Sequence, residues 1–183
     1  MNTDPRLRLL GTSDASSGMA LLNALDETRV IIRTGPDMVG AHTTSLAAFV
    51  GLTARLFGDV VVEQPVDLAA NWWGVSSTDA LLDALHAVRP RPATAPRRGL
   101  VVTFGDRVAN GDLGVGGDDY TVRLGPEPQP LGAGPVHALG VHAAVCLAVS
   151  QLLLAVLEPY GFPGSRCRAL RDQPGRLRPH RGA

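Results

Sequence analysis

The sequence predicts an α/β domain with a mostly parallel sheet, and three observations predict it. Val30–Glu63 reads as a strand, a glycine-containing turn, a helix and a second strand. Along the rest of the chain, short β-branched runs alternate with longer runs of helical periodicity, the pattern of βαβ units. Late in the chain, Leu113-Gly114-Val115 and Tyr120-Thr121-Val122-Arg123-Leu124 flank Gly116-Gly117-Asp118-Asp119, a hairpin signature. Together these make a Rossmann-like three-layer sandwich with a mostly parallel sheet and a β-hairpin.

The elements follow in order. Ser13–Leu25 forms a helix, with Ser13 or Asp14 as cap and an apolar stripe of Met19, Leu21, Leu22 and Leu25. Val30-Ile31-Ile32-Arg33 is the first strand. Ala41–Phe57 is the second helix, its apolar residues Leu46, Phe49, Val50, Thr53, Leu56 and Phe57 on one face, with Gly58 as its C-cap. Val60-Val61-Val62 is a continuous β-branched run, as expected of a strand covered on both faces. An irregular loop containing Trp72-Trp73 follows. Ser76 and Asp79, three apart, approximate a capping box for a helix through Leu81, Leu82, Leu85 and Val88, which stops before Pro90. Arg89–Arg98, rich in proline and arginine, is a solvated connector. Leu100–Gly105 is the third strand. After the hairpin, Pro135 or Val136 starts a long apolar helix that ends before Pro159.

Residues 1–163 are expected to form the domain and 164–183 an Arg/Pro/Gly-rich tail, too poor in apolar residues to add to a core and expected to be disordered. The tail holds six arginines and one acid, whereas residues 1–163 hold eleven arginines against sixteen acids. A formal net charge of zero therefore hides an acidic body and a basic tail. Nothing in this distribution points to nucleic acid. The chain has no lysine, which excludes Schiff-base chemistry and a lysine phosphate clamp. Its two cysteines, Cys146 and Cys167, have no CxxC partner, which excludes the usual zinc spacing. Ala138–Leu157 comes near the length of a membrane span, but His142, Ser150 and Gln151 interrupt it, so it reads as a core helix. With no signal peptide at Met1-Asn2-Thr3-Asp4, a reducing cytoplasm and no membrane are expected.

The turn Gly35-Pro36-Asp37-Met38-Val39-Gly40 follows a strand and opens a helix, the context in which a helix N-terminus receives phosphate. Gly35 and Gly40 match the outer glycines of a Gly-x-Gly-x-x-Gly loop, and Asp37 occupies the middle one. A carboxylate there would repel a pyrophosphate, and a plain turn with Asp37 as N-cap explains the same residues. Glu63 is the acid nearest the end of the second strand, where a ribose would be held. Gly35, Asp37, Gly40, Thr43 and Glu63 are thus the candidate cofactor-binding residues. No catalytic or metal residue is assigned: His42, His86, His137, His142 and His180 lack metal spacing, and Asp118 and Asp119 read as a solvated turn. Trp72-Trp73 can stack a base or lid the core.

Two segments carry a resemblance. Leu-Thr-Ala-Arg-Leu-Phe-Gly-Asp-Val-Val-Val-Glu (52–63) follows the glycine turn, and Gly-Pro-Val-His-Ala-Leu-Gly-Val-His-Ala-Ala-Val-Cys-Leu-Ala-Val (134–149) follows the hairpin. Over residues 28–160 the chain resembles the amino-terminal, non-catalytic half of bacterial ThiF-type (E1-like) adenylyltransferases. In those proteins a Gly/Pro turn precedes an Ala-rich helix with a Cys-Leu-Ala step. The resemblance implies a Rossmann-like fold, a dimer or protein partner, and ATP-dependent activation of the carboxyl terminus of a ubiquitin-like or sulfur-carrier protein. The chain departs from the catalytic pattern. Its glycine turn is incomplete, no aspartate directly follows the second strand, and it lacks the lysine and the CxxC pair. It is therefore expected to be a catalytically silent, degenerate or truncated E1-like module, with ATP as cofactor only by resemblance. The alternative expectation is a small nucleotide-binding adenylyltransferase.

Overall fold

β1 (Thr28–Thr34) is hydrogen-bonded along both edges and, paired over its whole length with one neighbour, makes the longest pairing in the sheet. The computed structural model describes residues 15–69, 71, 73–92, 95–132 and 139–160. Around β1 stand α1 (Ala15–Asp26), α2 (Ala41–Leu56), β2 (Asp59–Val62), α3 (Thr78–Val88), β3 (Arg98–Phe104), β4 (Leu113–Gly117), β5 (Val122–Gly125) and α4 (Leu139–Leu157), which ends in a 3₁₀ turn, Glu158–Tyr160. The sheet order is β2-β1-β3-β4-β5. The first four strands run parallel and β5 is antiparallel to β4. The expected α/β, Rossmann-like fold is present. The Ser13 or Asp14 cap, Trp72, the start of the long helix, His137, His180, Cys167 and the tail lie outside the described residues.

Register decides which side chains are buried. Val30 pairs with Val60 and Leu100, and Ile32 with Val62 and Val102, so these residues share one face of the sheet. That face carries the core, with Leu46, Phe49 and Val50 of α2 packed into it. α3 packs on α2 and β2, and α4 on α2, β4 and β5. Phe49 of α2 meets Phe104 of β3 edge-to-face, ring centroids 5.1 Å apart, an arrangement that aromatic quadrupoles favour. On the other face, Ile31, Val61 and Val101 are only half-buried. There Arg29 pairs with Asp59, and Arg33 with Glu63, across the β1–β2 edge. Behind β4 the opposing layer is a loop: a side chain at Gly116 would meet the backbone of Gln129 and Pro130.

Several boundaries differ from expectation for identifiable reasons. Asp37 does not cap α2; the N-cap is Gly40, with φ 55° and ψ −126° and no side-chain cap bond. Gly58 is not a C-cap either. Phe57 leaves the helix extended, its N–H on the Thr53 carbonyl, which buries its ring without a left-handed residue. Ser77, not Ser76, caps α3, accepting a hydrogen bond from the Ala80 N–H. The hairpin turn is Asp118–Thr121 rather than Gly116–Asp119, since Gly116 and Gly117 pair with Arg123 and Val122 inside the ladder. These glycines admit the close-packed loop; they do not make the turn.

The core predicts its own sensitivity. Phe49→Ala removes the ring that joins α2 to β3 and should lower the unfolding free energy by about 3–5 kcal/mol. Val88→Ser, at a position 87% exposed, should stay within about 0.5 kcal/mol. Urea denaturation followed by circular dichroism compares the two.

Candidate functional site

A strand order of 2-1-3 sends the chain away from β1 in both directions, and such a switch point opens a crevice at the carboxyl ends of the strands. Here the crevice is a cleft of about 840 Å³, bounded by the loops after β1 (34–40), β2 (63–69) and β3 (107–109). That is within the size range of small-molecule sites.

The β1 loop shapes its floor. Met38 N–H bonds to the Gly35 carbonyl and Val39 N–H to the Asp37 carbonyl, a tight reversal that aims the start of α2 at the cleft. Gly40 makes the last bend, at a φ that strains any side chain. No side chain caps α2; the His42 N–H bonds to the Val39 carbonyl at 3.2 Å and the Thr43 N–H to the Gly40 carbonyl at 3.1 Å, so the helix start offers the cleft its partial positive charge rather than a row of free donors. Gly35 and Gly40 both line it.

Asp37 does not line the cleft. Its carboxylate is turned under the loop against Gly35 and against Gly105 of the β3 loop, which has φ 90°. Its Oδ1 is buried with no hydrogen-bond partner among the described residues. Asp37 therefore makes no direct contact with the cleft. The residue instead packs the β1 loop against the β3 loop, whose backbones are also joined by the Gly35 N–H to Phe104 carbonyl bond of 2.8 Å.

Thr43 lines the cleft, but its hydroxyl is engaged. It donates to the Gly40 carbonyl at 2.7 Å and accepts from the Ala69 N–H at 2.9 Å, tying α2 to the loop after β2. Glu63 also lines the cleft, with its carboxylate 2.8 Å from Nε of Arg33. Arg33 donates as well to the Asn110 carbonyl at 3.1 Å, so it bridges the loops after β2 and β3. Arg107 is exposed and lines the cleft without an ion-pair partner among the described residues.

Arg33 and Arg107 carry the positive charge of this cleft, and no motif marks either. The available signal is Gly105-Asp106-Arg107 directly after the third strand, a second strand-to-glycine turn beside the first. The other expected features are structural. His42 Nε2 lies 2.8 Å from the Gly132 carbonyl, and His142 Nδ1 lies 2.8 Å from the Ser45 hydroxyl. Trp73 packs on Gly51 of α2. Hydrogen bonds from the side chain and backbone of Thr121 hold the Asp118 carboxyl below the usual carboxylate range, which assigns that acid to the turn. Among the described residues no group of three or more His, Cys, Asp or Glu could hold a metal ion.

No protein-family model matches the chain. A comparison with curated proteins gives no match either.

The loop lock makes a quantitative expectation. Gly105→Ala introduces a Cβ at positive φ and into the Asp37 carboxylate, and should cost more than the roughly 1–3 kcal/mol of backbone strain alone. Gly40→Ala meets open space and should cost only that strain. Adding Asp37→Ala to Gly105→Ala should recover part of the loss, a non-additivity of about 0.5 kcal/mol or more in a double-mutant cycle.

Proposed function

We propose that this chain is a Rossmann-like binding domain of E1-like build, which holds a nucleotide-type anion in the β1–β3 cleft and does not transfer an adenylyl group. The observation that carries the reading is the cleft itself. It lies at the switch point, is lined by Gly40 and Thr43 at the start of α2, and adds Arg107, which has no ion-pair partner among the described residues. Phosphate oxygens are suited to the partial positive charge of a helix start and to an arginine fork. Arg33 supplies a second guanidinium, with one edge already held by Glu63.

The proposed silence rests on the lining residues. They include no histidine, cysteine or serine, and the sequence has no lysine. Of the two hydroxyls that line the cleft, that of Thr43 is committed to two hydrogen bonds, and that of Thr34 is bonded to no base among the described residues. Glu63 and Asp67 are carboxylates that can hold a ribose or repel excess negative charge, so a ligand with few phosphates fits better than a triphosphate.

A second reading, a module that docks on another protein or on its own copy, is favoured by Leu139 and Leu147 of α4, 59% and 49% exposed. The described stretch Leu139–Tyr160 is long and apolar enough to cross a membrane, and half of an 18-residue apolar segment within it is buried inside the domain. The proposal places that helix against the sheet in water, in a reducing cytoplasm.

Thermal denaturation with AMP, ATP, NAD and S-adenosylmethionine tests the first reading. At 100 times its Kd a ligand adds about 2.7 kcal/mol to the folded state. AMP is expected to raise Tm, and Arg107→Glu, at an exposed loop position, to remove the rise without lowering the unliganded Tm. No rise with any of the four ligands at millimolar concentration would contradict the proposal.

A further inference from the structure

A second cleft, of about 430 Å³, lies on the helical side of the domain, between α2 and α4. Its walls are the apolar residues Ala48, Leu52 and Val145 together with the indole of Trp73. The tryptophan wall is built in rather than loosely draped. The Asn71 side chain donates to the carbonyls of Ala69 and Val75 at 2.9 and 2.8 Å and accepts from the Trp73 N–H at 3.1 Å. The indole then lies flush on Gly51, where any side chain would collide with it.

Two polar groups break the apolar lining. Arg55 is exposed and has no ion-pair partner among the described residues. His142 is oriented by the Ser45 hydroxyl at its Nδ1, and its Nε2 has no hydrogen bond among the described residues. No acidic residue lines this cleft. A fixed aromatic wall, aliphatic sides and one uncompensated guanidinium are complementary to an amphipathic anion. The apolar part of such a ligand would sit on Trp73 and Leu52, and its charged end on Arg55.

We infer that the α2–α4 cleft is a binding site for a small amphipathic carboxylate, with a medium-length acyl chain or an aryl group, separate from the switch-point cleft. Cys146 lines the same cleft and is a free, exposed thiol, so occupancy can be read at its sulfur without reference to any activity.

The test uses the full chain carrying Cys167→Ser, so that Cys146 is the one thiol reacting with a disulfide reagent, and octanoate as the probe. Octanoate at ten times its Kd should slow modification of Cys146 about tenfold, because a site filled about 90% of the time leaves that fraction of thiols protected. 1-Octanol, with the same chain and no charge, should bind about tenfold more weakly. Arg55→Gln should bring octanoate down to the level of octanol, and Ala48→Phe, which fills the cleft, should abolish protection by both. Three results would each overturn the inference. One is no protection by millimolar octanoate. Another is equal protection by octanol, and the last is an octanoate affinity unchanged in Arg55→Gln.

Discussion

The fold depends on β1 being bonded on both edges at once. Thr28–Thr34 is matched residue for residue with Arg98–Phe104 on one side, and Arg29–Ile32 with Asp59–Val62 on the other. That double pairing buries Val30 and Ile32 completely and fixes the face to which α2 must return. It also makes the chain leave β1 toward β2 while the neighbouring β3 leaves in the other direction. The crevice between those departures exists because of topology, before any side chain is chosen to line it.

The local chemistry then refines what topology supplies. Gly40 lets the chain enter α2 without a side-chain cap, which leaves the helix N-terminus facing the crevice. Asp37 is withdrawn beneath the loop by the space that Gly35 and Gly105 leave for it. Thr43 closes the far wall by holding the loop after β2. The first two steps clear side chains from the start of α2 and the third fixes the wall; Arg33 and Arg107 line the cleft against the carboxylates Glu63 and Asp67, and Glu63 is held on Arg33. The proposal that this cleft holds an anion without transforming it rests on the engaged Thr43 hydroxyl and on the absence of lysine from the chain.

Much of this was legible in the sequence, and the rest was illegible for physical reasons. The βαβ unit showed itself because β-branched runs and helical periodicity are local signals, as in Val60-Val61-Val62 and Leu46, Phe49, Val50. Gly35 and Gly40 were visible for the same reason. The orientation of Asp37 was not, because it is set by Gly105, which is distant in sequence and adjacent only across the β1–β3 pairing. Arg107 was hidden likewise, on a loop that becomes part of the cleft only after the strands are ordered. The glycines at 116 and 117 misled, since close approach of a backbone and a tight turn both demand glycine, and only the register separates the two. The α2–α4 cleft was unreadable altogether, as it needs Trp73, Arg55 and His142 from three separate segments.

The central claim is that the β1–β3 crevice receives a phosphate-bearing ligand on the start of α2. The most direct measurement is an amide-resolved nuclear magnetic resonance titration of the full chain with AMP. The account predicts that the largest shifts fall on Gly35, Gly40, Ala41 and Arg107, with little change along α4. Shifts confined to other elements, or none at saturating millimolar ligand, would contradict it.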